Sequence, residues 1–492
     1  PTKWGSRTAD YEMDPDVVDD PAYTEDLLIG LKSIPTMVIT ADPDDFFNNP
    51  NGIYANPQSD GQAWEREISL ELIQPDGSEG FQLNAGIRIH GNGSRNPNGQ
   101  PKHGFRVEFR AQYGTNNLNY PLFPGSPVTK FDSLILRSQN AHGWTRSSQI
   151  SNGAGTEREQ SQYIRDSYAR DLHNAMGQPG GEATYVHLYI NGFYWGLYNP
   201  VEYPRAFHGV QHFGGSADEY DSINRRPTAN GGKGTHPVDG SKDAWEAMQD
   251  LANSGLETPS KYAQMQEHMD LDNLIDYMLV HQYLGSRDGP EVFNSNNMRA
   301  LRRSRGESPG LWQCYLWDME ASMFEIDVTR NINVDDPDTL ARVYTKLREN
   351  PEFLIRYADR VHRHFFNDGA LTPTHAAAIW ERRAEEIFTA IIGESARWGD
   401  FRRASRPFTR DVEWTAERRR LLDSYFPTRT EFLVKELTKN GLYPSTKAPE
   451  FSQHGGEVTS GFALTMMVTS SIFNPQRGTI HYTLDGSDPR LS

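Results

Sequence analysis

The sequence predicts an α+β protein with a strand-rich first part and a helix-rich second part. Short runs that alternate apolar and polar residues predict strands up to about Pro204, and apolar residues then recur at helical spacing. The 492 residues include 10 Trp, 22 Tyr and 23 Phe, which is enough to form large cores. We therefore expect an N-terminal arm and extension at 1–63, a β-rich unit at 64–204 and a helical unit at 205–447.

Local signals predict individual elements within these units. Asn191-Gly192 is a hairpin turn pair between two strand-like runs. Asp270 is a candidate N-cap for a helix over 271–284, because an Asp directly before an apolar periodic run satisfies free backbone N–H groups. Residues 212–240 are rich in glycine, and we expect them to form a loop.

Composition excludes several classes of protein. The net charge of −17 argues against non-specific binding to nucleic acid or to an anionic membrane. No stretch approaches the ~20 apolar residues of a membrane span. Cys314 is the only cysteine in the sequence, which excludes an intramolecular disulfide and a cysteine zinc site. The chain begins at Pro1, so we expect a mature or trimmed fragment.

A loop after the predicted helix carries a motif suited to phosphoryl transfer. Arg287-Asp288 is followed within nine residues by Asn294, Asn296 and Asn297. In this chemistry an Asp accepts the proton of the acceptor hydroxyl, and an Asn amide oxygen helps to hold a magnesium ion. An Arg-Asp pair in a loop is more often an ion pair or a cap, so this motif alone does not decide the function.

A second acidic motif follows an apolar strand-like run. Asp318 comes directly after LWQCYLW, and Glu320 lies two residues further on. A carboxylate at the end of a buried strand is well placed to bind a Mg²⁺ ion that bridges ATP phosphates. Acidic residues at strand ends are usually only solvated, but the order Asp, Asn and then strand-borne Asp is the order used by kinases.

The first part of the chain supplies a candidate phosphate loop. A turn rich in Gly and Ser, which includes Ser94 and Arg95, precedes Lys102 at the start of a predicted strand. Backbone N–H groups of such a turn can approach phosphates, and a lysine on the adjacent strand can pair with their charge. The GK[ST] ending of a Walker A loop is missing. The alternative interpretation is a polar hairpin loop with a surface lysine.

Residues from about 34 to 444 resemble the spore-coat protein H (CotH) kinase family. The similar pieces are GNGS with PKHGFRVEF, YIRDSYARDLHNAMG, YINGFYWGLYNPVEY, MDLDNLIDYMLVHQY, the RD…NSNN loop and LWDME. The resemblance implies a bilobal, atypical protein-kinase-like fold and a secreted, cell-surface or spore-coat location. It also implies ATP with Mg²⁺ or Mn²⁺, and protein substrates with Ser or Thr acceptors. Cell-wall or coat components are candidate partners, and nucleic acid is not expected.

The resemblance also implies roles for individual residues. By position, Lys102 matches the phosphate-pairing lysine, Asp288 the catalytic Asp and Asp318 the metal-binding Asp. Glu202 lies where the two lobes would join, which is where the adenine ring of ATP would be recognised. One departure from the usual kinase pattern is that no His precedes Arg287.

Further metal ligands come from the same comparison of positions. Asn296 is the best match for the second metal ligand, with Asn294 and Asn297 as competitors. Glu320 is the remaining acidic candidate, although relatives often carry a second Asp there. This departure concerns catalytic rate and metal preference more than the fold.

The last segment, 448–492, again has a residue pattern typical of strands. HYTLDGSDPR within it resembles the C-terminal immunoglobulin-like module of chitobiases and β-hexosaminidases. We expect a partial β-sandwich module there.

Two other function classes stay open. A non-catalytic surface adhesin or pseudokinase that binds glycan or protein would suit the terminal module and the aromatic run YINGFYWGLY. Binding of ATP with Mg²⁺ discriminates it from a kinase. A glycoside hydrolase rests only on the terminal module and the many carboxylates, and release of reducing ends from polysaccharides would support it.

Overall fold

The computed structural model describes most of the chain. The described residues are 2–4, 7–96, 100–139, 142–146, 151–152, 155–227, 233–289, 297–306, 309–330, 332–468, 479–485 and 487–491. The strands are β1 Lys3–Trp4, β2 Arg7–Thr8, β3 Thr36–Ala41, β4 Arg66–Ile73, β5 Phe81–His90, β6 Gly104–Glu108, β7 Leu118–Asn119, β8 Lys130–Phe131, β9 Ser133–Arg137, β10 Ser151–Asn152, β11 Gly155–Thr156, β12 Val186–Ile190, β13 Phe193–Val201, β14 Tyr220–Pro227, β15 Lys233–Asp239, β16 Arg299–Arg303, β17 Gln313–Tyr315, β18 Glu450–Phe451 and β19 Met466–Met467. The helices are α1 Pro15–Val18, α2 Thr24–Gly30, α3 Pro43–Phe46, α4 Arg165–Ala175, α5 Ala206–Phe213, α6 Asp243–Asn253, α7 Pro259–Gln266, α8 Leu271–Leu284, α9 Leu340–Leu347, α10 Pro351–Phe365, α11 Pro373–Phe388, α12 Ile391–Trp398, α13 Thr415–Arg420 and α14 Phe426–Lys439. The predicted α+β class is confirmed.

Strands of the first part form a closed barrel in the order β12-β13-β9-β6-β5-β4-β3. Neighbouring strands are antiparallel, except that β3 and β12 pair in parallel and close the barrel. Alternate side chains fill the interior because successive residues of a strand point to opposite faces, and Ile68, Leu70 and Leu72 on β4 are all buried. Strand β3 lies within 1–63, so the barrel draws on that segment as well as on 64–204.

The second part packs its helices around α8. Nearly every side chain of α8 is buried, which is typical of a central helix. A second sheet, in the order β15-β14-β16-β17, lies against it. The Asn273 side chain of α8 accepts the backbone N–H of Cys314 on β17 at 2.6 Å, and this bond ties helix to sheet.

Several element predictions are confirmed, and one is wrong. The Asp270 carboxylate caps α8 by accepting the backbone N–H of Asn273 at 3.1 Å. Asn191 and Gly192 both have positive φ, as a tight hairpin turn requires. The predicted loop at 212–240 instead contains β14 and β15. Pairing of β14 with the distant β16 stabilises this hairpin, and local glycine content could not reveal that partner.

The C-terminal segment has little regular structure among its described residues. Strands β18 and β19 pair over two residues each, and residues 450–465 are exposed throughout. The immunoglobulin-like module stays a prediction. Among the described residues, no helix combines the length and the apolar character needed to cross a membrane.

Candidate functional site

Lys102 is a buried lysine held by an ion pair. It lies two residues before β6 and is only 1% exposed. Its Nζ atom lies 2.7 Å from Glu394 Oε1 and donates to the carbonyl oxygen of Leu197, also at 2.7 Å. The other oxygen of Glu394 accepts the N–H of Leu197 at 2.8 Å. The alternative of a surface lysine in a polar hairpin is therefore wrong.

The charged form of Lys102 depends on the carboxylate of Glu394. Burial lowers the pKa of Lys102, and the Glu394 carboxylate opposes that shift. The charge of Glu320 acts on the same pKa, which places the second acidic motif within electrostatic range of the ammonium group. Sequence reasoning missed Glu394, which lies 292 residues away on α12 and carries no motif of its own.

Arg137 joins the two carboxylates of the second acidic motif. Its guanidinium, at the end of β9, donates to Asp318 and to Glu320 Oε1, the latter at 2.6 Å. Asp318 lies three residues beyond β17 with a φ of 63°, which is uncommon for a residue other than glycine. The Asp318 side chain is 38% exposed and that of Glu320 is 4% exposed. One carboxylate therefore reaches solvent while its neighbour is enclosed.

The enclosed carboxyl group of Glu320 has a raised pKa. Burial raises the pKa of Glu320 to about 7, and the nearby carboxylates of Asp318 and Asp166 add to the rise while Arg137 opposes it. A carboxyl with this pKa exchanges its proton near neutral pH. A divalent cation at this position would have to displace that proton.

Helix α4 supplies a third carboxylate that the sequence interpretation missed. Asp166 is fully buried, accepts the backbone N–H of Met319 at 2.9 Å and pairs with Arg170 at 3.0 Å. Its other contact is Arg137, whose Nε lies 3.5 Å from Asp166 Oδ2. Asp166 therefore holds Arg137 through their ion pair, and it positions the backbone next to Asp318 by accepting the N–H of Met319. Its motif, YIRDSYARD, was in the resemblance, but nothing local marks Asp166 among its neighbours.

Buried arginines next to these carboxylates have unused donors. Among the described residues, Nε of Arg137, both Nη atoms of Arg170, and Nε and Nη1 of Arg299 have no hydrogen-bond partner. All three guanidinium groups lie over the ring of Trp317, with Arg299 closest at 4.0 Å from its centroid. Buried guanidinium N–H groups without an acceptor are costly, so a cluster of this kind suits an anionic ligand with several oxygens.

The loop with the predicted catalytic Asp runs beside the second acidic motif. The backbone N–H of Arg287 donates to the carbonyl oxygen of Ala321 at 2.8 Å, and the Arg287 side chain pairs with Glu157 and Glu325. Asp288 is exposed, and its carbonyl oxygen accepts the side-chain amide of Asn297 at 2.7 Å. The ion-pair interpretation is thus correct for Arg287, and Asp288 stays accessible. Asn294 and Asn296 lie outside the described residues.

The predicted phosphate loop is held by its own side chains. Ser94 donates to the carbonyl oxygen of His90 at 3.0 Å. The guanidinium of Arg95 is buried and donates to several loop carbonyls, including that of Ser59 at 2.8 Å, and to Asp60 at 3.0 Å. These contacts order the loop, and contact of either residue with phosphate stays a prediction.

Glu202 lies directly after β13, with its carboxylate turned toward helix α5. It is 3% exposed and accepts the backbone N–H of Glu182 at 2.9 Å. Its nearest side chains are His208 and His212, at 3.5 Å and 3.1 Å from Oε1. The structure thus brings Asp318 and Glu320 together on Arg137 and places the Asp288 loop beside them, while Glu202 belongs to a different cluster.

Comparison with known proteins identifies the family of the chain. The family model described as CotH kinase protein matches residues 87–433, more than half of the chain. The chain belongs to the CotH kinase family. The predicted family is confirmed, and membership in the CotH family indicates phosphotransferase chemistry. A search of curated proteins found no match.

A kinase family implies a nucleotide and a divalent metal, and the residues of this CotH chain fit both. The unpaired N–H groups of Arg170 and Arg299 are suited to phosphate oxygens. Asp318 and Glu320 offer carboxylate oxygens, which are the ligands that Mg²⁺ and Mn²⁺ prefer. The site therefore contains both the cationic and the anionic groups that a metal–nucleotide complex requires.

Proposed function

We propose that this CotH family member is an ATP-dependent protein kinase that phosphorylates Ser or Thr hydroxyls of surface or extracellular proteins. The observation that carries the proposal is the Arg137 cluster, which consists of Arg137, Asp318 and Glu320. Arg137 binds both Asp318 and Glu320, and the Asp288 loop contacts the same segment through the backbone of Arg287. A buried lysine held by a carboxylate, Lys102, lies within electrostatic range.

Roles for the residues follow from their chemistry. Asp318, Glu320 and Asn296 would hold Mg²⁺ or Mn²⁺, which neutralises phosphate charge when bound. Lys102 would pair with phosphate oxygens, and the loop with Ser94 and Arg95 would cover them. Arg170 and Arg299 would donate to the same oxygens from buried positions. Glu202 stays the candidate at the adenine end.

Asp288 would act as the proton acceptor. The acceptor hydroxyl oxygen forms a bond to the γ-phosphorus, the bond between that phosphorus and the β–γ bridging oxygen breaks, and ADP leaves. The hydroxyl proton passes to the Asp288 carboxylate. The exposure of Asp288 supports this role, because a protein substrate must reach it.

We propose further that the molecule is bilobal. The β-rich lobe would comprise 64–204 with the strand from the 1–63 extension, and the helical lobe 205–447, with the cleft between them. A partial immunoglobulin-like module would occupy 448–492. A secreted or cell-surface location accords with the family, and cell-wall or coat components are candidate partners.

One observation favours a second function, a pseudokinase or adhesin. Arg137 occupies both Asp318 and Glu320, so a metal ion must compete with an existing pair of charge-assisted hydrogen bonds. A chain in which that pair never opens would keep the fold and bind a glycan or protein without phosphoryl transfer.

Titration of ATP with Mg²⁺ or Mn²⁺, followed by transfer of labelled phosphate to a generic protein acceptor, tests the kinase. Asp318→Ala should abolish metal-dependent nucleotide binding, because phosphates and carboxylates repel without the cation between them. Asp288→Asn should keep ATP binding and slow transfer by about 10²-fold or more. The control Asp327→Ala changes an exposed carboxylate nine residues after Asp318 and should leave both unchanged.

Each outcome separates the two functions. Wild-type protein that binds no nucleotide at millimolar ATP with either cation would reject the kinase and favour the adhesin. Binding without transfer would indicate a pseudokinase. Transfer that survives in Asp288→Asn would keep the kinase and assign the base to another residue.

A further inference from the structure

A carboxylate and two imidazoles converge at a point separate from Arg137, Asp318 and Glu320. Candidate ligand atoms of Glu202, His208 and His212 all lie within 4.8 Å of one another. His208 and His212 are four residues apart on α5, so they share one face of that helix. Glu202 approaches from the end of β13, so the cluster joins two elements.

The two distances from the carboxylate to the imidazole nitrogens match a tetrahedral metal site. Glu202 Oε1 lies 3.1 Å from His212 Nε2 and 3.5 Å from His208 Nδ1. Two ligand atoms bonded at about 2.0–2.1 Å to a tetrahedral zinc ion are about 3.3 Å apart. A small shift of the side chains would therefore seat an ion between the three atoms.

His208 supplies an independent sign that a ligand is expected. It is 5% exposed, its Nδ1 has only the 3.5 Å contact with Glu202, and its Nε2 makes no hydrogen bond with a described residue. Its ring packs against His212, with ring centroids 4.2 Å apart, and against Tyr315 at 5.3 Å. A plain Glu202–His212 hydrogen bond explains His212, but it leaves Nε2 of the buried His208 ring without a partner among the described residues, which is costly.

We propose that Glu202, His208 and His212 bind a divalent transition-metal ion of the zinc type. Two imidazoles and one carboxylate form a common zinc donor set, and they suit zinc better than the oxygen-preferring Mg²⁺. Gly209 follows the first histidine, where zinc proteases of the H-E-x-x-H type carry a catalytic Glu. The ion would therefore hold α5 against the end of β13 rather than activate water for peptide hydrolysis.

Metal binding by the untagged full chain tests this proposal. After removal of metals with a chelator, the protein is titrated with Zn²⁺ by calorimetry and with Co²⁺ by visible absorption, without nucleotide. We expect one equivalent to bind, with the visible spectrum of four-coordinate Co²⁺. Glu202→Gln, His208→Ala and His212→Ala should each weaken binding by at least about tenfold, because each removes a ligand.

Two controls separate this site from others. Asp318→Ala should not change Zn²⁺ affinity, because that carboxylate belongs to the Arg137 cluster. His454→Ala removes an exposed imidazole outside the cluster, and it should also leave Zn²⁺ affinity unchanged. His212 is partly exposed, so His212→Ala should fold even if a His208 variant does not.

Two results would overturn the proposal. One is wild-type protein that takes up no Zn²⁺ or Co²⁺ stoichiometrically at micromolar concentration. The other is uptake that His212→Ala and Glu202→Gln leave unchanged. Neither result depends on ATP binding, so failure of the kinase proposal and failure of this one are distinguishable.

Discussion

Buried charged side chains in this protein pair with partners far away in sequence. Lys102 binds Glu394 across 292 residues, and Arg137 binds Asp318 across 181. Burying a charge is tolerable only when it is paired and hydrogen-bonded. These pairs therefore connect segments that are distant in sequence, and removing one partner leaves the other charge buried without its counter-charge.

Substitution of Glu394 should show that cost. Glu394→Ala leaves the Lys102 ammonium buried without its counter-charge, so we expect a loss of about 3–5 kcal/mol in the free energy of unfolding. The double variant Lys102→Met with Glu394→Leu should recover much of that loss, because no charge remains buried. Denaturant unfolding of both variants measures the difference. A change under about 1 kcal/mol for Glu394→Ala would contradict the assigned pairing.

Glu320 should make metal binding depend on pH. Its pKa is raised to about 7, so below pH 7 a metal ion must displace a proton, whereas above it the carboxylate is free to bind. We expect the affinity for Mn²⁺ with ATP to fall by up to about tenfold per pH unit from pH 7 to pH 6 and to level off by pH 8. Glu320→Gln should bind more weakly and lose this slope. An unchanged slope in that variant would assign the proton to another group.

At the scale of elements, the end of α8 positions the candidate catalytic loop. Gly285 ends the helix with a φ of 59°, and the loop with Asp288 begins directly after it. A left-handed residue at a helix end is a common way to stop a helix, and glycine adopts that conformation without strain. The turn thereby directs the chain toward the segment that follows Asp318.

Replacing this glycine should affect both stability and transfer. Gly285→Ala has room for its methyl group, since the nearest atom to an added Cβ is Arg429 Nη2 at 3.5 Å, but its backbone is strained by about 1 kcal/mol. Gly441→Ala, at the end of α14 with a φ of 71°, should cost a similar amount. Only Gly285→Ala should also lower phosphate transfer. Equal transfer in both variants would show that the turn does not position Asp288.

At the scale of the molecule, helix α12 connects the second part of the chain to the barrel. Arg397 Nε donates to the carbonyl oxygen of Tyr194 at 3.0 Å, and Trp398 Nε1 donates to that of Trp195 at 2.8 Å. Gly196 has no side chain because an added Cβ would collide with Glu394 and Trp398. Barrel and helices therefore share buried contacts, and we expect them to unfold together.

The C-terminal segment should be dispensable for stability. Residues 450–465 are exposed throughout, and Arg490 reaches the rest of the protein through an exposed ion pair with Glu352. Exposed pairs contribute little. Removal of 448–492 should therefore change the melting temperature by less than about 2 °C, whereas Trp380→Ala, which empties a fully buried site, should lower it by several degrees. A large drop on truncation would show that the segment packs on the core.

Short-range signals in the sequence were sufficient for much of the fold. The cap at Asp270 and the Asn191-Gly192 turn depend on residues within a few positions of one another. Local hydrogen bonding and periodicity decide such features, so they can be read from one segment. Family membership was equally accessible, because its motifs are contiguous. The strands at 220–239 were not, since they depend on pairing with β16.

The sequence by itself determined the family, the α+β class and the candidate residues Lys102, Asp288 and Asp318. Only the tertiary structure decided that Glu394 neutralises Lys102, that Arg137 joins Asp318 to Glu320, and that Glu202 faces two histidines. The physical reason is that these contacts depend on which faces of distant elements pack together. Neither propensity nor spacing along the chain encodes that packing, because it is set by long-range burial of the whole core.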